Sequence, residues 1–150
     1  MRGRVGGAEA VGLRLRLQPR LVTQIRDPQG RVVRTFPAAE YGRPISSDTA
    51  DSLRQMMINV VEHGTGYPAQ LSITTVAGKT GTATNGPNTP PNAWFVSFAP
   101  AGRGEGPARI AVAVIVLDGG NLGNEATGGQ VAAPIAAQVI RACLTGACAP

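Results

Sequence analysis

The spacing of hydrophobic and polar positions changes along the chain, and each change marks a predicted element. Residues 21–26 and 31–36 are short β-favouring runs, separated by the turn-forming segment Asp27-Pro28-Gln29-Gly30. This pattern predicts a hairpin. After a polar loop over 37–45, apolar residues recur at helical spacing and predict a helix over about 48–63, with Ser46 or Ser47 as its N-cap and Gly64 at its end.

Three strand-like segments and a second helix follow. The predicted strands cover 71–84, 93–99 and 109–117, with proline-rich and glycine-rich connections between them. The last strand is apolar on both faces, so a helix predicted over about 131–144, with Pro134 in its first turn, is the expected cover. Loops this short join antiparallel strands, which predicts an α+β layer structure rather than a doubly wound one.

Composition supports a folded chain. With 43% hydrophobic and 15% charged residues among 150, the sequence lies outside the composition range of disordered proteins. Its longest apolar run, 110–117, is far shorter than the roughly 18 residues of a membrane-spanning helix. Arg14 and Arg16 interrupt the stretch where a signal peptide would be apolar, so we expect neither an export signal nor a membrane anchor in these residues.

Charge and cysteine content narrow the possible partners. The formal net charge is +5, but Lys79 is the only lysine and the arginines form no basic stripe, so we expect no nucleic-acid partner. Cys143 and Cys148 have no further cysteine or histidine in zinc-ligand spacing, and we expect no metal or cofactor. The two thiols form either one small-loop disulfide or an unreactive pair.

The segment from Val76 to Thr84 carries the chemistry of the chain. Its Gly78-Lys79-Thr80 suggests a phosphate-binding loop, but that motif needs a glycine where Ile73 stands. It also needs a helix directly afterwards, and the proline-rich sequence that follows cannot form one. The sequence therefore argues against nucleotide binding.

Lys79-Thr80-Gly81 on a predicted strand matches the K-T-G element of penicillin-binding proteins and serine β-lactamases. The match extends to Ala83, with Gly64-Thr65-Gly66 before it and Asn92-Ala93-Trp94-Phe95-Val96 after it. Over about residues 18–144, this ordered set resembles the C-terminal part of the transpeptidase domain of class B penicillin-binding proteins, the monofunctional high-molecular-weight class. The resemblance implies a partial antiparallel sheet with a C-terminal helix packed on it.

The resemblance also implies roles in peptidoglycan D,D-transpeptidation. Lys79 would attract the terminal carboxylate of a D-Ala-D-Ala stem peptide or of a β-lactam, and the hydroxyls of Thr80 and Thr82 would donate hydrogen bonds to it. Gly81 would let the ligand approach the backbone, and the Thr82 N–H would be an oxyanion-hole donor. Lys79 and Thr82 are thus the expected catalytic residues, and Lys79, Thr80, Gly81 and Thr82 the expected substrate-binding residues. A plain polar edge strand is the alternative.

Two other elements of the family are absent from the sequence. No serine is followed by lysine three positions later, and none by asparagine two positions later, so neither S-x-x-K nor S-x-N occurs. We therefore expect a substrate-binding part of a transpeptidase without its serine nucleophile, inactive by itself. The alternative is a non-catalytic binding or interaction remnant.

The resemblance further predicts the domain organisation. Residues 1–17 look atypical, as if a misplaced start or a frameshift had replaced the family sequence, and 18–150 form the C-terminal part of the transpeptidase domain. The N-terminal half of that domain, with the serine and two further strands, is an expected partner. By family, the location is the extracytoplasmic face of the bacterial cell membrane.

Overall fold

A computed structural model describes residues 16–42, 45–84, 86–87 and 89–148. The expectation for residues 1–17 therefore falls almost entirely outside the described residues. The described part contains seven strands and two α-helices, joined by shorter helical turns. The strands form two small two-stranded sheets and one three-stranded sheet, all antiparallel.

The N-terminal strands form two separate pairs. Strand β1 (Arg16–Leu17) pairs with β4 (Glu40–Gly42), and β2 (Gln24–Arg26) pairs with β3 (Val32–Thr35). The β2–β3 pair confirms the predicted hairpin, and the Asp27 carboxylate fixes its turn by accepting the Arg31 N–H at 2.9 Å. The prediction of an uninterrupted loop over 37–45 was wrong at β4, because the partner of that strand lies more than twenty residues earlier in the chain.

Helix α1 (Ser47–Glu62) confirms the first predicted helix within one residue at each end. The Ser46 side chain is its N-cap and accepts the Thr49 N–H at 3.2 Å, which satisfies a donor left free by the helix geometry. Ile58 and Val61 are buried against the rest of the chain. A single turn of 3₁₀ helix, Tyr67–Ala69, follows.

The main sheet has the order β5-β6-β7, with β5 at Ala77–Ala83, β6 at Asn92–Ala99 and β7 at Ile110–Val116. The predicted strand over 71–76 was wrong. Those residues form bends because other segments bind their backbone groups: Thr75 accepts the Ala101 N–H at 2.9 Å and donates its own N–H to the Glu105 carboxylate at 3.0 Å.

Helix α2 (Ala133–Leu144) packs on one face of this sheet, as expected of the C-terminal helix. A five-residue π turn, Gly128–Ala132, leads into it, and Pro134 lies at its start. The core between helix and sheet contains mainly small and aliphatic side chains around one phenylalanine: Val61, Ala69, Val76, Phe95, Ala99, Ala132, Ala133, Ala136 and Ile140. Cys143, in the last turn of the helix, forms a disulfide with Cys148 just beyond it, which decides between the two alternatives for these thiols.

Candidate functional site

Residues 79–82 lie on β5, which is an edge strand of the main sheet. Lys79 stands opposite Val96 and Gly81 opposite Trp94 on β6, and the strand continues in register to Ala83. An extended strand does not wrap its backbone N–H groups around a phosphate, so the structure supports the argument against a nucleotide-binding loop. The other side of β5 has no strand partner among the described residues, which leaves backbone groups there for another chain or a ligand.

The Lys79 side chain is exposed, and its ammonium forms no ion pair with any residue that the structure describes. Its Nζ donates to the Thr80 carbonyl at 2.5 Å, so the cation folds back along the edge of the strand. Directly before it, Gly78 is buried under the Phe95 ring. A Cβ at position 78 would lie 2.4 Å from Phe95 Cζ, so only glycine allows the strand to approach the core this closely.

Thr80 and Thr82 lie on the face of the sheet opposite to Lys79, as the two-residue period of a strand requires. Thr80 is half-buried, and its Oγ1 lies 2.8 Å from the Oγ1 of Thr65. Thr82 is exposed. Since β5 is an edge strand, the side chains on both of its faces border the same open edge.

Two other segments reach this strand, and neither was predicted to contact it. One is the turn 64–66, which brings Thr65 to Thr80. The other is the turn at 128–129, where a Cβ on Gly128 would lie 3.0 Å from the Gly81 nitrogen. In the sequence, a pair of glycines directly before a helix is a signal that the backbone there lies close to another segment. The segment in question is almost fifty residues away, so the sequence does not identify it.

Glu105 forms a second polar cluster, at the entry to β5. Its carboxylate accepts the N–H and the hydroxyl of Thr75, the hydroxyl of Thr74 and the N–H of Gly102, at 2.7–3.3 Å. Burial raises the pKa of Glu105, but these donated hydrogen bonds outweigh it and hold the pKa below its ordinary value. The cluster ties the β6–β7 connection to the segment that leads into the Lys79 strand. No sequence pattern predicted this cluster.

Two open cavities, of about 230 and 380 Å³, flank this Glu105 cluster. Neither is lined by residues 79–82, and the surface at Lys79 is an open strand edge. Across the described ranges, no group of three His, Cys, Asp or Glu side chains is placed to hold a metal ion. No helix in that same part of the chain has both the length and the apolar character needed to cross a membrane.

Comparison with known proteins matches this arrangement to one family. The profile of the family described as "Penicillin binding protein transpeptidase domain" matches residues 15–141. The peptidoglycan D,D-transpeptidase PbpA of Mycolicibacterium smegmatis is 37% identical over 131 residues, which are 85% of this chain and 26% of that protein. PbpA of Mycobacterium tuberculosis is 35% identical over 133 residues, 87% of this chain and again 26% of the relative. The chain thus spans about a quarter of the length of these relatives.

Solved structures agree with the sequence comparisons. Penicillin-binding protein A from M. tuberculosis, in its ceftriaxone acyl-enzyme complex, superposes with a TM-score of 0.73 at 32% identity, covering 90% of this chain and 30% of that one. The D,D-transpeptidase domain of a peptidoglycan glycosyltransferase from Eggerthella lenta superposes with a TM-score of 0.67 at 28% identity, covering 92% of this chain and 30% of its own.

Proposed function

Because the chain belongs to the family of penicillin-binding protein transpeptidase domains, we propose that it supplies the substrate-binding strand of a peptidoglycan D,D-transpeptidase. Lys79, Thr80, Gly81 and Thr82 form that strand. One observation carries the proposal: the only lysine of the chain is exposed on an open strand edge and forms no ion pair among the described residues.

The ligand is the terminal carboxylate of a D-Ala-D-Ala stem peptide, or the carboxylate of a β-lactam. Relatives bind such compounds, since penicillin-binding protein A of M. tuberculosis forms acyl-enzyme complexes with ceftriaxone and with penicillin G. In this chain, Lys79 supplies the positive charge that attracts the anion. A hydroxyl has one donor and two acceptor positions, so Thr80 can donate to the carboxylate while it accepts from Thr65.

The strand backbone adds the second part of the mechanism. An edge strand presents N–H and C=O groups to which an extended peptide can bind, which would align the stem peptide along β5. Gly81 keeps side-chain atoms away from that contact. The Thr82 N–H stabilises the oxyanion that forms when a nucleophile attacks the carbonyl, a contribution of roughly 3–4 kcal/mol where such donors have been removed. The nucleophile itself is not among these residues, since no S-x-x-K occurs.

A binding measurement tests the proposal on the chain as it is. We expect benzylpenicillin to shift the amide NMR signals of residues 79–82 reversibly. Lys79→Ala should weaken this binding by about tenfold or more, because it removes the cation that attracts the carboxylate. Arg103→Ala, which removes an exposed cation in the β6–β7 connection, is the matched control and should bind as the parent does. Equal binding by the Lys79→Ala chain would rule out the proposed role.

The missing S-x-x-K favours a second candidate, a non-catalytic binding or interaction remnant of the domain. Fluorescent penicillin separates the candidates. Both candidates exclude covalent labelling that survives denaturation, and such labelling would reveal an overlooked nucleophile. Reversible binding at 79–82 supports the substrate-binding strand, whereas a chain that binds no penicillin at all is the remnant.

The proposed location is the extracytoplasmic face of the bacterial membrane, in the oxidising environment where disulfides persist. The Cys143–Cys148 bridge supports this placement. Cells producing the chain can be quenched in acid and treated with a maleimide before and after reduction. We expect two reactive thiols only after reduction. Free thiols before reduction would argue for a reducing compartment.

A further inference from the structure

Two turns that are distant in sequence meet at residues 80–81 of the proposed substrate-binding strand, β5. They are the turn 64–66 and the turn with the glycine pair at 128–129. A Cβ on Gly128 would lie 2.0 Å from the Trp94 carbonyl oxygen and 2.8 Å from that of Gly81. A Cβ on Gly129 would lie 2.0 Å from the Thr65 carbonyl oxygen. Real Cβ atoms essentially never approach other atoms this closely.

The demand for glycine at 128 and 129 is therefore steric. Neither residue has the positive φ that would require glycine for conformational reasons. The atoms in the way belong to the backbone, which cannot rotate aside as a long side chain can. A methyl group on Gly128 must push the glycine turn away from β5 and β6, and one on Gly129 must push it away from Thr65. Both glycines are buried, so no open direction lets the turn relieve the clash cheaply.

The glycine turn is itself firmly held. The Thr127 hydroxyl accepts the Gln130 N–H, and the Gln130 side chain accepts the Thr127 N–H at 3.1 Å, a reciprocal capping box. Helix α2 begins directly afterwards, and its Ala136 and Ile140 are fully buried in the core. The turn thus transmits the position of α2 to the strand at Gly81.

The turn 64–66 holds the strand from a second direction. Thr65 Oγ1 lies 2.8 Å from Thr80 Oγ1. Gly66 is buried, and a Cβ there would lie 3.2 Å from a Phe95 ring carbon and 3.1 Å from Val60 Cγ1, so the turn rests on the core. Gly129 in turn packs on the Thr65 carbonyl. The contacts form a closed chain from Gly128 to Gly81, from Thr80 to Thr65, and back to Gly129.

From this arrangement we infer that Gly128, Gly129 and Thr65 are positioning residues of the carboxylate-binding strand. Gly128 sets the place of the Gly81 backbone, Gly129 sets the place of the Thr65 carbonyl, and Thr65 sets the direction of the Thr80 hydroxyl. The inference rests on the proposed function of residues 79–82. Loss of this positioning would matter for function, because a misplacement of about 1 Å in a binding or catalytic group can cost on the order of 100-fold in rate.

The first test uses Gly128→Ala and Gly129→Ala in the 150-residue chain. We expect amide hydrogen exchange of residues 79–82 to accelerate about tenfold, and benzylpenicillin affinity to fall about tenfold. Two controls separate positioning from general damage. Gly30→Ala strains the remote hairpin turn, where φ is +82°, without a clash at the added methyl group. Ile140→Val weakens the same core from α2 without touching the strand. Each control should leave local exchange at 79–82 and penicillin affinity close to those of the parent.

Two milder variants at Thr65 provide a test if a glycine variant does not fold. Thr65→Val removes the hydroxyl and keeps the shape, whereas Thr65→Ser keeps the hydroxyl. We expect Thr65→Val to reduce penicillin affinity about fivefold, with Thr65→Ser restoring it. Equal affinity and equal exchange at 79–82 in Thr65→Val and the parent would overturn the role of Thr65. The same result for a folded glycine variant would overturn the role of the glycines.

The exchange measurement keeps this inference separate from the proposed function. If the parent chain binds no penicillin, the proposed function fails, and exchange at 79–82 still shows whether the turns hold the strand. Faster exchange in the glycine variants alone would then support a purely structural clamp and overturn a role in ligand positioning. Parent binding together with loss of affinity in Gly128→Ala, but not in Ile140→Val, supports the positioning role.

Discussion

The two faces of the main sheet differ sharply, although they are formed by alternate residues of the same strands. On the face under α2, which we call the inner face, Ala93, Phe95 and Ala99 have no exposed surface. On the opposite, outer face, Trp94 and Val96 are 40% and 43% exposed. Helix α1 covers the outer face only at one end, where Ile58 packs against Ala77 and Phe98.

The apolar residues of a strand therefore do not determine by themselves which of its two faces becomes covered. Strand β7 is apolar on both faces, yet only its alternate residues Ile110, Val112, Val114 and Val116 pack against the α2 core, whereas Ile115 is 41% exposed. The outer face next to Lys79 therefore combines an apolar patch with a cation. Such a patch is an aggregation liability or a contact surface for further protein.

The largest expected effect is a loss of stability when the packing of the inner face is disrupted. Phe95→Ala removes the largest fully buried side chain and should destabilise the fold by about 3–5 kcal/mol, a large part of the stability of a small domain. Trp94→Ala, one position along on the outer face, should cost only about 1 kcal/mol. Urea unfolding followed by circular dichroism checks both. Equal costs would mean that the two faces are equally covered in solution.

The second prediction concerns the outer face alone. Replacing Val96 and Ile115 together by threonine should weaken self-association of the chain about tenfold and leave its stability nearly unchanged, since both side chains are over one-third exposed. Sedimentation velocity over a concentration series measures this. The control replaces the exposed Val32 and Val33 of β3 by threonine. An equal reduction in self-association from that control would show that the outer face has no special role.

The smallest effect concerns the loop that joins β6 and β7. Because the pKa of Glu105 is lower in the folded chain than in the unfolded one, its contribution to stability is complete above the ordinary carboxyl pKa and is lost as pH falls through the depressed value. Glu105→Gln should cost about 1 kcal/mol at pH 7 after allowance for solvent screening.

The pH dependence of the stability difference gives a further check on the role of the Glu105 carboxylate. The stability difference between the parent and Glu105→Gln should shrink as the pH falls from about 5 to about 3, where carboxylates become protonated. Thermal unfolding across that range measures it, with Glu125→Gln as an exposed control for the loss of one negative charge. A difference that stays constant with pH would mean that the Thr75 contacts need no charge.

Much of the fold followed from local pattern. The hairpin turn, helix α1, strands β6 and β7 and helix α2 were all predicted within a few residues, because their hydrophobic periods and caps are local properties. The candidate site was predicted from one short motif, since lysine, threonine and glycine on a strand already specify a cation, hydroxyls and open backbone.

The errors share one physical cause. Residues 71–76 have strand-like composition, but Glu105 and Ala101 take the backbone partners of Thr75 and turn the segment into bends. Strand β4 exists only because β1 pairs with it. Gly128 and Gly129 belong to the site only because α2 brings them to Gly81. In each case the partner is far along the chain, beyond the reach of periodicity.

The sequence alone thus predicted both α-helices, the hairpin and strands β6 and β7, identified the single lysine as the candidate anion-binding cation, and showed that the S-x-x-K element does not occur in these residues. Those properties depend on side-chain chemistry and on neighbours a few positions away. The packing of distant segments is what leaves Lys79 at an open edge, brings Thr65 to Thr80, and covers one face of the sheet while the other stays exposed. Such contacts arise when distant segments pack together, and close packing depends on shapes that no local pattern specifies.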